Sequence, residues 1–404
     1  MTAPAPGDKF SPTTMQHRRR LPLLLVVTVA LGPLRLPAQG IKLPYPLLEI
    51  EARARRDSND AEAQYLLGLG YWNAKRYDDA ERALKLSVEI EPRFAAGYLA
   101  LAYLPYARHQ NLRTLEERNR VPDTLRDVLA ESFRLRRRAF LIDPLVDLSI
   151  LGAVYPLRGS VTVGLTRDGR LVLMANPFEA FVAGKYDLAF GVLGDAMYHG
   201  LGPPPDLMLW FHGLSAAHLG YYPAAIADFQ MLLDRSVQRE AGDSILRLPL
   251  QTNDYRYILA LFKQRANKPA DAMGLYKEAL ANDIGLFMAH VQMGKMYEAH
   301  QMWPEAIEEF REAVATNPDD PSLLLDLGVV LHKAGRSTES ADVLRHAEAA
   351  NPRDSRVPYH LAIALQEAHD TATARAELQR FLALAPSRYA REIADARQRL
   401  AALP

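Results

Sequence analysis

The chain of 404 residues contains no cysteine, which removes disulfide frameworks, thiolate metal sites and cysteine nucleophiles in one step. It has no surplus charge of either sign: 48 Lys and Arg stand against 48 Asp and Glu. No long-range field therefore draws nucleic acid or an anionic membrane surface. Arg134, Arg136, Arg137 and Arg138 form a local basic cluster, but no aromatic residues follow in alternation with it, so it reads as a solvated helix face and not as a nucleic-acid surface.

Signatures of chemistry are also missing. No His-Glu-x-x-His run exists, and His199, His212 and His218 are not spaced to meet on one helical face. His290 and His300 among Met288, Met293, Met296 and Met302 suggest a soft-metal site, yet methionine is a common filler of helical cores and the core reading is preferred. Gly152, Gly159 and Gly164 are not followed by the Gly-Lys-Ser/Thr of a phosphate loop. Gly213-Leu-Ser215-Ala-Ala217 imitates a nucleophile elbow, but no strand precedes it. Glu305, Glu308, Glu309 and Glu312 beside Arg311 fit a solvated face with weak ion pairs. The expectation is no catalytic residue, no cofactor and no metal.

What is present begins at the N-terminus. Arg18, Arg19 and Arg20 precede an apolar run from Leu21 to Leu31, a Gly32-Pro33 break, and Leu36-Pro37-Ala38-Gln39. These are the charged, apolar and cleavage regions of a signal peptide over residues 1–38, with Met15 as an alternative start and cleavage after Ala38. The other reading is an uncleaved anchor, against which the run is shorter than the roughly 20 residues of a spanning helix and contains Pro22. An exported chain, periplasmic or secreted, is expected.

The dominant feature is a period. Pro318, Pro352 and Pro386 recur at 34-residue intervals. Within the first interval Met293, Gly294 and Tyr297 fall on one predicted helix and Ala306, Phe310 and Ala313 on the next. The second interval gives Leu327, Gly328, Leu331, Ser340, Leu344 and Ala347, and the third Leu361, Ala362, Leu365, Ala374, Leu378 and Phe381. The small residue lets two antiparallel helices approach, the large apolar ones fill the seam, and the proline stops the second helix. Leu67, Gly68, Tyr71, Ala80, Leu84, Ser87 and Pro92 repeat the register near the N-terminus. Each unit leaves an apolar face that only its neighbours cover, which predicts a quasi-one-dimensional stack.

In these four units the sequence resembles the tetratricopeptide-repeat (TPR) family, and more loosely over most of 59–402. The resemblance implies an all-α superhelical solenoid of helix-turn-helix units. The expected organisation is N-terminal units over 41–144 with an insertion at 105–123, a degenerate segment over 145–205, a C-terminal array over 206–386, and a capping helix over 387–404. Val161–Thr166 and Leu171–Met174 flank Arg167-Asp168-Gly169-Arg170, which predicts a small β-hairpin near 160–174 inserted in the solenoid.

In TPR proteins the first helices of successive units line a concave groove. Carried onto this chain, the resemblance implies a partner-binding groove of Tyr257, Leu261, Met288, Val291, Lys295, Leu325, Val329, His332, Tyr359, Ile363 and Gln366. Its apolar and aromatic character suits a helical or extended apolar protein segment. The Lys and Asn clamp that some relatives use for acidic tails is reduced to Lys295. Exposed aromatics keep a glycan or envelope polymer as a minor alternative. The function expected is a non-catalytic scaffold that assembles or stabilises an envelope complex. The alternatives are an enzyme accessory subunit working through 145–205, or an assembly component anchored by its N-terminal segment.

Overall fold

The computed structural model describes residues 41–403, apart from 110–111, 113–120, 155–161, 166–170, 175, 200–202, 241–249 and 319. The expected signal segment, most of the 105–123 insertion and the Asp168-Gly169 turn lie outside the described residues.

Among the described residues, an entry helix α1 (Leu47–Arg56) precedes eight antiparallel helix pairs. They are α2 (Ala61–Asn73) with α3 (Tyr77–Ile90), α4 (Ala95–Arg108) with α5 (Asp123–Ile142), then, after a single turn α6 (Leu151–Val154), α7 (Pro177–Val182) with α8 (Tyr186–His199). Next come α9 (Asp206–His218) with α10 (Tyr222–Glu240), α11 (Thr252–Arg265) with α12 (Pro269–Asn282), and α13 (Phe287–Ala299) with α14 (Trp303–Thr316). The last pairs are α15 (Pro321–Lys333) with α16 (Ser337–Ala350), and α17 (Arg356–Glu367) with α18 (Thr371–Leu384). A short 3-10 turn leads into α19 (Ala390–Ala402), which covers the end of the stack. Strands β1 (Thr162–Leu165) and β2 (Leu171–Met174) pair antiparallel, Thr162 opposite Met174 and Leu165 opposite Leu171.

The helix boundaries follow local chemistry. Asp60, Asp320 and Asp370 accept hydrogen bonds at the N-termini of α2, α15 and α18, satisfying amides that the helix leaves open. Inside seven of the units the turn passes through the left-handed region, at Lys75, Gly184, Gly220, Asn267, Gln301, Gly335 and His369. Helix α4 runs on through Pro105 to Arg108, four residues into the expected insertion. A proline near a helix end removes one backbone bond without breaking the turns before it. The degenerate middle is itself a helix pair, whose first member α7 is only 6 residues long.

The small positions do what the pattern requires. A Cβ on Gly328 would stand 2.5 Å from Leu344 Cγ, and one on Gly68 2.6 Å from Leu84 Cγ. Ser340 sits in the same seam, fully buried, and donates its hydroxyl to the Gly328 carbonyl at 2.7 Å. Gly328→Ala is therefore expected to destabilise. Overpacking of about 1–3 kcal/mol outweighs the gain of about 1 kcal/mol in helix propensity. Gly274→Ala, where nothing lies within 4 Å of the added carbon, should instead raise the thermal midpoint. If both substitutions shift it the same way, close helix approach is not what holds the small residue.

The stack does not remain open. Asn59 Nδ2, just before α2, donates to the carbonyls of Arg353 at 2.6 Å and Leu384 at 3.3 Å. Ser387 Oγ lies 3.2 Å from Asp57, and Arg388 lies 3.3 Å from Asp60 and 3.0 Å from Glu91. Asn351 Nδ2 donates to the Glu89 carbonyl at 3.0 Å, and Arg93 pairs with Asp326. From the C-terminal end of α5, Arg137 reaches Asp254 at 2.8 Å and Asp283 at 3.2 Å. The superhelix thus brings the first two units against the last four, at their inter-unit loops and at Asp254 of α11 and Asp326 of α15.

Candidate functional site

Closure decides what happens to the inner face. Tyr257 is fully buried, Val291 likewise, and Leu261, Met288 and Leu325 are 6%, 4% and 5% exposed. These five do not line an open groove; this corrects the expectation drawn from register alone. Lys295 is exposed, and Val329, His332, Tyr359, Ile363 and Gln366 are partly exposed. Two of those are held by the terminal helix: Tyr359 donates its hydroxyl to Asp395 at 2.9 Å, and Gln366 accepts from Arg399 at 2.9 Å. His332 lies 3.1 Å from Glu367. Of the residues carried onto the groove, Lys295, Val329, His332 and Ile363 are the others that keep exposure.

The filling comes from the chain itself. At the α5 end, Leu141 and Ile142 share a cleft with Leu286, Phe287 and Met288, rimmed by Arg134, Arg137 and Arg138. Asp143 lies 4.0 Å from Arg265 of α11. Burial, with a smaller contribution from the nearby Asp147 carboxylate, raises the phenols of Tyr65 and Tyr186. The His218 imidazole, stacked 3.9 Å from Tyr186, is lowered by burial while Asp143 and Asp147 oppose the shift. Residues from α2, α8, α9 and α11 therefore converge on the linker after α5. Sequence reasoning missed this linker. Its signal was the alternation Val146, Leu148, Ile150 against Asp147 and Ser149, the two-residue period of an extended segment buried on one side.

His212, His290 and Ser215, singled out in the sequence, are held by neighbouring side chains and backbone. His212 Nδ1 lies 2.6 Å from Asp228 Oδ2 with Phe190 stacked on its ring, and His290 Nδ1 lies 2.8 Å from Glu309. Ser215 donates to the Phe211 carbonyl one turn back, at 2.7 Å. Among the described residues, no group of three His, Cys, Asp or Glu is placed to hold a metal ion.

One titrating group stands out on the second helices. Glu377 of α18 is pushed up to about 7, by burial first and then by Glu348 of α16; Glu348 also pairs with Arg380. The folded carboxyl keeps its proton to about pH 7, whereas the unfolded one releases it near 4.5. The folded state therefore binds more protons in between, and stability falls as pH rises through that window. Glu377→Gln should match wild type near pH 4.5 and exceed it by about 1–2 kcal/mol at pH 8, after discounting for the solvent-exposed half of the group. Parallel denaturant curves for the two proteins at pH 4.5 and 8 would count against this charge pair.

Residues 291–355 match the family model described as tetratricopeptide repeat. The matched stretch covers α14–α16 and the repeats read from Pro318 and Pro352, so this part of the chain carries tetratricopeptide repeats. It is 30% identical over 121 residues to the probable UDP-N-acetylglucosamine--peptide N-acetylglucosaminyltransferase SPINDLY of Hordeum vulgare, an alignment covering 30% of this chain and 13% of that protein. The chain thus spans about an eighth of that curated relative's length. Among solved structures, the C-terminal part of a TPR repeat-containing protein from Cytophaga hutchinsonii superposes with a TM-score of 0.44 at 14% identity, over 55% of this chain and 83% of that one. Yeast Tom70 superposes with a TM-score of 0.38 at 12% identity, over 84% of this chain and 72% of that one.

Proposed function

We propose that the protein is a non-catalytic scaffold that holds a segment of a partner protein on the inner face of its last three repeat units, and that it does so outside the cytoplasm, in assembling or stabilising an envelope complex. The observation that carries this reading is the partly open inner face at Lys295, Val329, His332 and Ile363 in an array of repeats of a kind that presents such faces to partners. Its two aliphatic side chains favour a contact made by apolar burial, and Lys295 favours an acidic residue at the edge. The export half of the proposal rests on the Arg18–Arg20, Leu21–Leu31 and Ala38 pattern. Among the described residues, no helix is long and apolar enough to cross a membrane.

The test is capture from native membrane and soluble fractions by wild type and by Val329→Glu/Ile363→Glu. Loss of one specific partner, with helical circular dichroism unchanged, is expected; the same partner at the same yield sinks the inner-face assignment. N-terminal sequencing of the protein from fractionated cells should begin after Ala38. A chain that retains residues 15–38 in the membrane fraction supports the anchored alternative instead.

A further inference from the structure

The stack and the seam that closes it are held by different forces. One apolar cluster runs through successive units from Ile41 to Leu331. The clusters of the last two pairs and α19, among the described residues, contain no residue of α1–α4. What crosses the seam there is polar. The N-terminal lip carries Asp60, Glu62, Glu89 and Glu91, and the C-terminal lip answers with Arg353, 3.2 Å from Glu89, and with Arg388, which reaches Asp60, Glu91 and, at 3.9 Å, Glu62. Asn59 and Asn351 add hydrogen bonds to carbonyls on the facing lip. Ion pairs at such exposed sites contribute little each and are screened by salt.

Deeper in the seam, Arg93 gives Nη1 to Asp326 of α15, while its Nε and Nη2 are buried with no acceptor among the described residues. A guanidinium edge without partners burdens the closed form, and opening hydrates it. Asp326 stands three residues before Val329, so the two share one face of α15. Arg93 therefore reaches the edge of the inner face at Val329.

We propose that the seam is a salt-sensitive clasp: α1–α3 and the loop carrying Arg93 part from the last two pairs and uncover the inner face of α15 at Val329. The pair of Arg137 with the buried Asp254 stays made and serves as the hinge side. What the open form admits rests on the scaffold reading above; the opening itself does not. The Debye length falls from about 10 Å at 0.1 M salt to about 3 Å at 1 M, the reach of the lip contacts themselves.

The chain has no cysteine, so introduced ones can be labelled without interference. Spin labels at Ala52→Cys on α1 and Gln398→Cys on α19, both exposed and uncharged positions, should report one short distance at about 0.1 M NaCl. A second, longer distance should grow at least about tenfold in population by about 1 M. Arg353→Glu/Arg388→Glu should show the longer distance already at low salt. Adding Glu89→Lys/Glu91→Lys should restore the short one in part, which a purely structural role for the two arginines would not allow. Access is read separately, from the rate at which a neutral thiol reagent modifies Val329→Cys; it should rise about threefold or more at high salt and in the arginine variant. A single short distance at every salt concentration overturns the clasp, and a lengthened distance with an unchanged modification rate overturns the uncovering of the inner face. Should the arginine variant lose its helical circular dichroism, the salt titration of the labelled chain decides alone. A chain that opens and exposes Val329→Cys yet captures no partner from native fractions supports the clasp and removes the scaffold reading. One that captures a partner and stays closed overturns the clasp and leaves the scaffold reading intact.

Discussion

Arg137→Ala is expected to lower stability by about 3–5 kcal/mol, the cost of leaving a buried carboxylate without its partner. The Asp254 side chain has no exposure, and Arg137 grips both its oxygens, Nε at 2.9 and 3.0 Å and Nη2 at 2.8 Å. Asp254 keeps one other donor, the Gln251 amide at 2.8 Å, which puts the effect nearer the lower end. Arg137→Lys should recover little, because a point ammonium cannot reproduce the planar fork. Asp254→Ala added to Arg137→Ala should cost little more than either alone. Urea midpoints for the three variants decide it. A loss under about 1 kcal/mol for Arg137→Ala would mean that the pair is solvated and that closure does not depend on it.

Phe229→Ala should cost a similar amount, about 3–5 kcal/mol, by a different route. Its ring is fully buried, edge-on to Phe262 at 5.0 Å and tilted against Trp210 at 5.2 Å. It joins the α9–α10 pair to the α11 helix of the next unit. It also fills the space that Gly213 leaves, where a Cβ would stand 2.9 Å from the ring. Gly213→Ala should therefore be harmful in wild type and nearly neutral once Phe229 is Ala, a coupling of about 1–2 kcal/mol. Thermal or denaturant midpoints of the four proteins in the cycle give it directly, and additivity would show that the ring and the glycine are not packed as described.

The repeats were readable because their causes are local. Gly294, Gly328 and Ala362 have to be small for one helix to approach its neighbour, and Pro318, Pro352 and Pro386 have to end a helix. Those demands recur at a fixed spacing and survive in a single sequence. The state of the inner face was not readable in the same way. Whether Tyr257 or Val291 meets a partner or the chain itself depends on how far the superhelix turns in eight pairs, a sum of small unit-to-unit rotations. Its residue-level marks are pairs such as Arg137 with Asp254 and Arg93 with Asp326, 117 and 233 positions apart. No short window contains both members. The linker 143–151 carried a legible alternation, but the helical period on either side drew attention away from it.

The contacts of Asn59 with Arg353 and Leu384, and of Arg388 with Asp60 and Glu91, also change how the molecule comes apart. In an open stack each end unit has one neighbour and frays on its own, so local stability declines toward both ends. Here the first and last units are neighbours in space, which gives a linear chain the boundary condition of a ring. Opening then has a threshold: neither end loosens freely until the seam between them parts, and once it does the array reverts to a stack with two fraying ends.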